Sequence, residues 1–179
     1  MYFVDAAHFV LGSFLAILWS FRRIFVETSS GRQRFNVLGA LNAVTKEMIT
    51  VTNNTYINAW SVVELIRKIR DLHPPGQKVV LILDNARYQA CHLVKSAANM
   101  HAVELLFLPT YSPNLNLIER VWKFIRKKSL NCVYFKDFDL FTEAISECIE
   151  KFGGEYRGEL ETLLTWNFQT LNKPGNVAA

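Results

Sequence analysis

Cysteine is scarce in this chain. Cys91, Cys132 and Cys148 are odd in number and far apart, with no C-x-x-C pair and no zinc spacing among them. That excludes a disulfide framework or a cysteine-held metal ribbon, and it suits a reduced, cytosolic setting. A long apolar run is missing too. The longest, from Phe9 to Phe21, is too short to span a bilayer, follows Asp5 and His8, and has no basic segment before it. It predicts neither a signal peptide nor a transmembrane helix, and hence no membrane partner. No G-x-G-x-x-G and no P-loop string occurs, which argues against a doubly wound nucleotide-binding domain and against a small-molecule cofactor held by a glycine-rich turn. Internal repeats, low-complexity segments and interdomain linkers are absent as well.

What remains is a chain able to build a core. Of 179 residues, 50% are hydrophobic and 13% aromatic, so one folded domain is the simplest expectation. Lys and Arg number 20 against 16 Asp and Glu, a net charge of +4. Such a mild excess permits a polyanionic partner without demanding one, so local clustering carries more information than the total.

Taken in order, Tyr2 to Val10 reads as a mostly apolar strand with Asp5 in its middle. An ionised carboxylate buried there is costly without a partner. The alternative is a strand that ends early, with Asp5 in a solvated turn. Leu11 to Ser20 has no clear period and is expected to be irregular or briefly extended. Ile24 to Thr28 is a further strand candidate, and Ser29-Ser30-Gly31-Arg32 a turn. Arg34 to Asn42 and Met48 to Thr52 are predicted as an antiparallel hairpin. From Asn58 to Leu72 the period becomes helical, with Asn58 as N-cap and Pro74-Pro75-Gly76 as a stop.

Lys78 to Leu83 is a continuous apolar run, as expected of a strand covered on both faces, and it ends at Asp84-Asn85. A helix is predicted from Tyr88 to Met100, then a second buried strand from Val103 to Leu108. Further helices are expected up to Leu130, from Asp137 to Lys151 and from Arg157 to Asn172. The order predicts a mixed sheet in an α/β fold, with antiparallel strands first, β-α-β units after, and helices on both faces.

Three carboxylates stand out. Asp84 lies at the C-terminal end of a buried strand, the edge where ligands collect in open α/β sheets. It could equally belong to a simple Asp-Asn turn. Glu119 falls three residues after Asn116, the capping-box position at a helix start. Helical projection sets it opposite the apolar face of Leu117, Val121, Phe124 and Ile125, beside Trp122, Lys123 and Arg126. By periodicity alone it is a cap or a solvated charge. Next to Lys123 and Arg126 it is also what a metal site facing phosphates would contain.

Asp5 in V-D-A-A-H-F, Asp84 in L-I-L-D-N-A and Glu119 in Y-S-P-N-L-N-L-I-E-R-V-W-K together resemble a DDE transposase, specifically the bacterial IS630 group of the Tc1/mariner superfamily. Residues 85 to 118, 34 in all, separate Asp84 from Glu119, as in the DD34E arrangement of that group. The resemblance runs from about Tyr2 to Phe141. It implies an RNase H-like fold of five mixed strands, a catalytic domain over 1–152, and a C-terminal helical extension and tail over 153–179.

It further implies that Asp5, Asp84 and Glu119 are catalytic and hold two Mg²⁺ ions, with Mn²⁺ able to substitute, about 4 Å apart for in-line phosphoryl transfer. The expected partner is double-stranded DNA, both transposon ends and target, met in a homodimer or synaptic complex. The expected place is the bacterial cytoplasm, at the nucleoid. Candidate phosphate contacts are Arg22, Arg23, Arg32, Arg34, Lys123, Arg126, Lys127 and Lys128, each alone also explicable as a solvated charge. His8 and His92 are expected to be ordinary hydrogen-bonded histidines, and Trp122 to pack the motif helix.

Full-length members carry helix-turn-helix modules before the core, and here Asp5 is the fifth residue. The sequence therefore predicts a catalytic fragment, one frame of a split transposase or a degraded copy. The alternative function is a truncated partner that binds DNA or dimerises without transposing.

Overall fold

The structure is a computed structural model and describes residues 1–12, 21, 22, 25, 32–109 and 115–167. Most of the expected strand at Ile24–Thr28, of the turn at Ser29–Arg32 and of the Leu11–Ser20 segment lies outside the described residues.

Five strands form one sheet in the order β3-β2-β1-β4-β5. β1 (Tyr2–Val10) and β2 (Arg34–Asn42) pair antiparallel along their whole length, from Tyr2 opposite Asn42 to Val10 opposite Arg34. β3 (Met48–Asn53) completes the predicted hairpin. Its turn is held by Asn42, whose Oδ1 accepts from the backbone N–H groups of Val44 and Thr45. β4 (Val79–Leu83) lies on the other side of β1 and parallel to it, and β5 (Val103–Phe107) extends the sheet from β4.

Strand alternation sends two sets of side chains to two faces. Tyr2, Val4, Leu38, Ala40, Leu81 and Leu83 meet α1 (Ala59–Asp71) and α2 (His92–Met100). Phe3, Phe9, Val37, Leu41 and Ile82 meet α3 (Ile118–Ile125), α4 (Phe138–Glu150) and α5 (Arg157–Leu163). Helices thus cover both faces, as predicted. Leu160 and Leu164, beyond Gly153-Gly154, belong to the second cluster, so α5 packs on the same core as β1.

Local chemistry explains the boundaries. Asn58 caps α1 through a reciprocal box with Ser61, and Asp137 caps α4 by accepting from Leu140 N–H. Gly76 takes a φ of +84° after the two prolines, a conformation that favours glycine.

Four expectations are corrected. β5 is an edge strand, with Glu104 and Leu106 exposed and Glu104 paired to Lys78 at 2.8 Å, because no strand among the described residues lies beyond it in the sheet. Its charges suit an edge. α2 begins at His92 instead of Tyr88. Residues 86–91 form turns, closed by the Gln89 and Ala90 N–H groups on the Ala86 carbonyl, that bury Gln89 and pack Tyr88 on the core before the helix starts. α5 stops at Leu163 because Arg120 takes the carbonyls of Leu163, Thr165 and Asn167 at 2.8–3.0 Å, bending the chain away from helix. Lastly, Leu117 and not Asn116 is the N-cap of α3, with no side-chain cap.

Candidate active site

Parallel pairing of β1 with β4 brings the two aspartates together. Phe3 stands opposite Ile82 and Val4 opposite Leu83, so Asp5 and Asp84 come next on neighbouring strands. By alternation both share the face of Phe3 and Ile82, beneath α3. Both are half-buried.

Glu119 arrives on the first turn of α3, also half-buried. Its charge is felt at Asp5. Burial, the largest cause, together with the Glu119 and Asp84 charges pushes the Asp5 carboxyl up to about 6, against the opposing hydrogen bonds from Trp122 and the Ala6 backbone. The three carboxylates therefore share one field.

The segment bearing Glu119 also restrains the other two. Trp122 Nε1 donates to Asp5 Oδ2 at 2.9 Å. Asn116 Nδ2 donates to the Val4 carbonyl at 3.3 Å and to Asp84 Oδ1 at 3.4 Å. Trp122 is buried, its ring set edge-on to Phe9, so the buried face of α3 is wider than helical projection suggested. Gly39, opposite Asp5 in the register, makes room for that ring: a Cβ there would lie 2.7 Å from the indole and 3.2 Å from Ile118 Cδ1.

Tyr88 sits at the same edge. Burial, then Asp5, and to a lesser extent Asp84, push its hydroxyl up to about 12, keeping it a neutral hydrogen-bonding group. Sequence reading missed Gly39, Tyr88 and the use made of Asn116. The asparagine has a visible signal, its polarity between Leu115 and Leu117, but local spacing alone makes it a helix cap.

A ready three-carboxylate cage is not formed. Among the described residues, no three His, Cys, Asp or Glu side chains converge closely enough to enclose an ion. Uncompensated like charges stand apart, and here Asp5 is drawn to Trp122 and Asp84 to Asn116. The donor set nevertheless fits a hard divalent cation. It is built from oxygen, Asp5 carries a charge the fold disfavours, and Asn116 Oδ1 is buried with no hydrogen-bond partner among the described residues.

The basic candidates divide by position. Arg126 is half-buried, its guanidinium 5.5 Å from the Phe9 ring centre. Lys128 pairs with Glu159 at 2.6 Å and lies over Phe124 and Tyr156, and the bond to Glu159 raises its pKa. Lys123 and Lys127 are exposed and line a cavity of about 430 Å³ between α3 and α5, with Arg120, Phe124, Glu159, Thr162 and Leu163.

Arg34 is exposed at the start of β2, opposite Val10, so it lies roughly 17 Å along the strand from Asp5. Arg22 and Arg32 are exposed, and Arg23 lies outside the described residues. His8 meets Asn36 and His92 meets Ser96 in hydrogen bonds. By alternation His8 belongs to the sheet face opposite Asp5.

Known proteins share this fold. The Mos1 mariner paired-end complex with Mn matches with a TM-score of 0.68 at 13% identity, over 90% of this chain and 51% of that one. The catalytic domain of Mos1 mariner transposase matches at 0.55 and 15% identity, over 90% and 76% respectively. At such identities the likeness is one of fold, and that fold is RNase H-like. A Sinorhizobium fredii protein, y4pE/y4sA, is 42% identical over 64 residues, which is 36% of this chain and 45% of that protein. The chain thus spans about half the length of the full-length relatives it matches. Residues 1–142 match the family model described as DDE superfamily endonuclease. With carboxylates gathered at the sheet centre and most of its length within that match, this chain belongs to the DDE superfamily endonucleases.

Proposed function

We propose that the chain is the catalytic core of a Tc1/mariner-type transposase of the IS630 group. It cuts DNA at the ends of its element and joins the 3′ ends to target DNA. The observation that carries this reading is that Asp5 and Asp84 stand at matching positions, each directly after the paired Val4 and Leu83 of parallel neighbours, with Glu119 close enough to disfavour the Asp5 charge.

Asp5, Asp84 and Glu119 would hold two divalent ions, Mg²⁺ or Mn²⁺. When bound, these supply Lewis acidity toward the scissile phosphate and toward the attacking and leaving oxygens. The remaining work falls to the chain itself. Trp122 fixes Oδ2 of Asp5, and the Ala6 backbone N–H adds a second restraint on the same carboxylate. Asn116 restrains Asp84 in the same way. The buried Phe9–Trp122 contact makes α3 a rigid carrier for Glu119, so the third carboxylate arrives at a set distance from the strands.

Lys123, one turn beyond Glu119, leads from the carboxylates into the groove lined by Lys127. A phosphate backbone crossing the site would pass there, held by charge and without base readout. Arg126, with Arg22, Arg23, Arg32 and Arg34, would add further contacts as the duplex leaves the site. The acting assembly would be a synaptic homodimer.

The test is nicking and strand transfer on DNA carrying the element ends, in Mg²⁺ or Mn²⁺, comparing the wild type with Asp84→Asn. The expected result is metal-dependent activity lost on substitution. Activity that survives the substitution rejects the assignment. Normal metal and DNA binding without cleavage would favour the second reading, a non-transposing DNA-binding partner.

A further inference from the structure

Asn116 is buried, and only half of its amide is satisfied. Its two acceptors, the Val4 carbonyl and the Asp84 carboxylate, can only accept, so the NH₂ end of the amide must face them. That leaves Oδ1 buried without a donor among the described residues. A buried orphan oxygen of this kind is costly and normally marks a place for a water or an ion. It belongs to the same planar group whose other end touches Asp84, so it lies in the shell of atoms around that carboxylate.

The residue is also released from the local task its sequence position suggests. Leu117 is the N-cap of α3, and the Asn116 side chain reaches across the fold instead, to β1 and to the end of β4.

We infer that Asn116 is a positioning residue for Asp84, and that its free amide oxygen accepts a hydrogen bond from water held at the carboxylate site. The inference rests on the proposed metal site. One end of the amide orients the carboxylate, and the other orients the water that completes the shell of a hard cation. Outer groups that orient ligands in this way commonly contribute about ten- to hundredfold to metal affinity.

The experiment measures Mn²⁺ binding by calorimetry and thermal unfolding with and without Mn²⁺, on the full chain. Wild type, Asn116→Ala, Asn116→Asp and Asp84→Asn are compared. The wild type is expected to bind Mn²⁺ and melt higher in its presence. Asn116→Ala should bind about ten- to hundredfold more weakly.

Asn116→Asp is nearly isosteric. Without metal it should melt below the wild type, because it loses the donor and sets a fourth carboxylate against Asp84. Its Mn²⁺-induced rise should exceed that of the wild type. A side chain that merely ties the loop to Val4 would shift the melting point equally with and without Mn²⁺. Unweakened Mn²⁺ binding by Asn116→Ala, or an Asn116→Asp rise no larger than that of the wild type, overturns the inference alone. Mn²⁺ binding that is absent from the wild type, or unaltered in Asp84→Asn, overturns the metal site itself and this inference with it.

Discussion

Trp122 Nε1 and Asp5 Oδ2 are 2.9 Å apart although they lie 117 positions apart in sequence. The bond joins the first strand to the helix that carries Glu119. It is charge-assisted when Asp5 is ionised, a class of bond worth about 1.5–3 kcal/mol. It also works against the forces that neutralise Asp5, since burial and two nearby carboxylates favour the protonated form while the indole favours the charged one.

Trp122→Phe keeps most of the packing against Phe9 and removes that donor. The Asp5 carboxyl should then titrate above its present value of about 6. Carboxyl chemical shifts followed against pH check the direction. Metal-dependent nicking at neutral pH should fall about tenfold, the scale expected when a group orienting a metal ligand is removed. An Asp5 titration left unchanged would show that the bond does not tune the carboxylate.

Gly39→Ala should be disproportionately damaging for one methyl group. The new Cβ would meet the Trp122 ring at 2.7 Å, and neither a central strand nor a buried indole can easily give way. Overpacking of this kind costs about 1–3 kcal/mol. Gly158→Ala is the contrast. It lies in α5 with nothing within 4 Å of the added Cβ, so higher helix propensity should stabilise it by up to about 1 kcal/mol. Thermal unfolding of the two variants should move in opposite directions.

The metal-free protein should lose stability as pH rises from about 4 to above 6. The folded chain holds the Asp5 proton more tightly than the unfolded chain does, about 6 against the ordinary 3.8. The contribution is therefore fully present below the unfolded value and is lost as pH rises through the folded one. Its ceiling is about 3 kcal/mol, reduced by the solvent that reaches this half-buried group. Melting curves in chelator across this range test it, and Asp5→Asn should flatten the slope. Saturating Mn²⁺ should reverse the loss near neutrality.

The three lysines after Glu119 should behave differently. Lys123→Ala and Lys127→Ala should weaken DNA binding across sequences and lower the slope of log affinity against log salt by about 0.9 for each phosphate no longer neutralised. Lys128→Ala should leave that slope nearly unchanged, because its ammonium is occupied by Glu159 and by the Phe124 and Tyr156 rings. Fluorescence anisotropy at several salt concentrations separates the two outcomes.

The sequence by itself determined what depends on neighbours along the chain. Apolar, β-forming composition bounded by polar turns set the strands Tyr2–Val10 and Arg34–Asn42, an unbroken apolar run set Val79–Leu83, and local hydrogen bonding set the caps at Asn58 and Asp137. It also placed Asp84 at a strand end, because the run simply stops there. Tertiary structure alone decided how these pieces meet. Helical projection turned Glu119 away from the apolar face and made Asn116 its cap. Both readings consider a helix without the sheet beneath it.

Once α3 lies across β1 and β4, Asn116 finds stronger partners in Val4 and Asp84, Trp122 reaches Asp5, and Gly39 proves to be the gap that admits the indole. No periodicity in one segment encodes those contacts, since each depends on the distance between elements that only packing sets. The motif announces its third carboxylate in the sequence; its hold on the other two exists only in the folded chain.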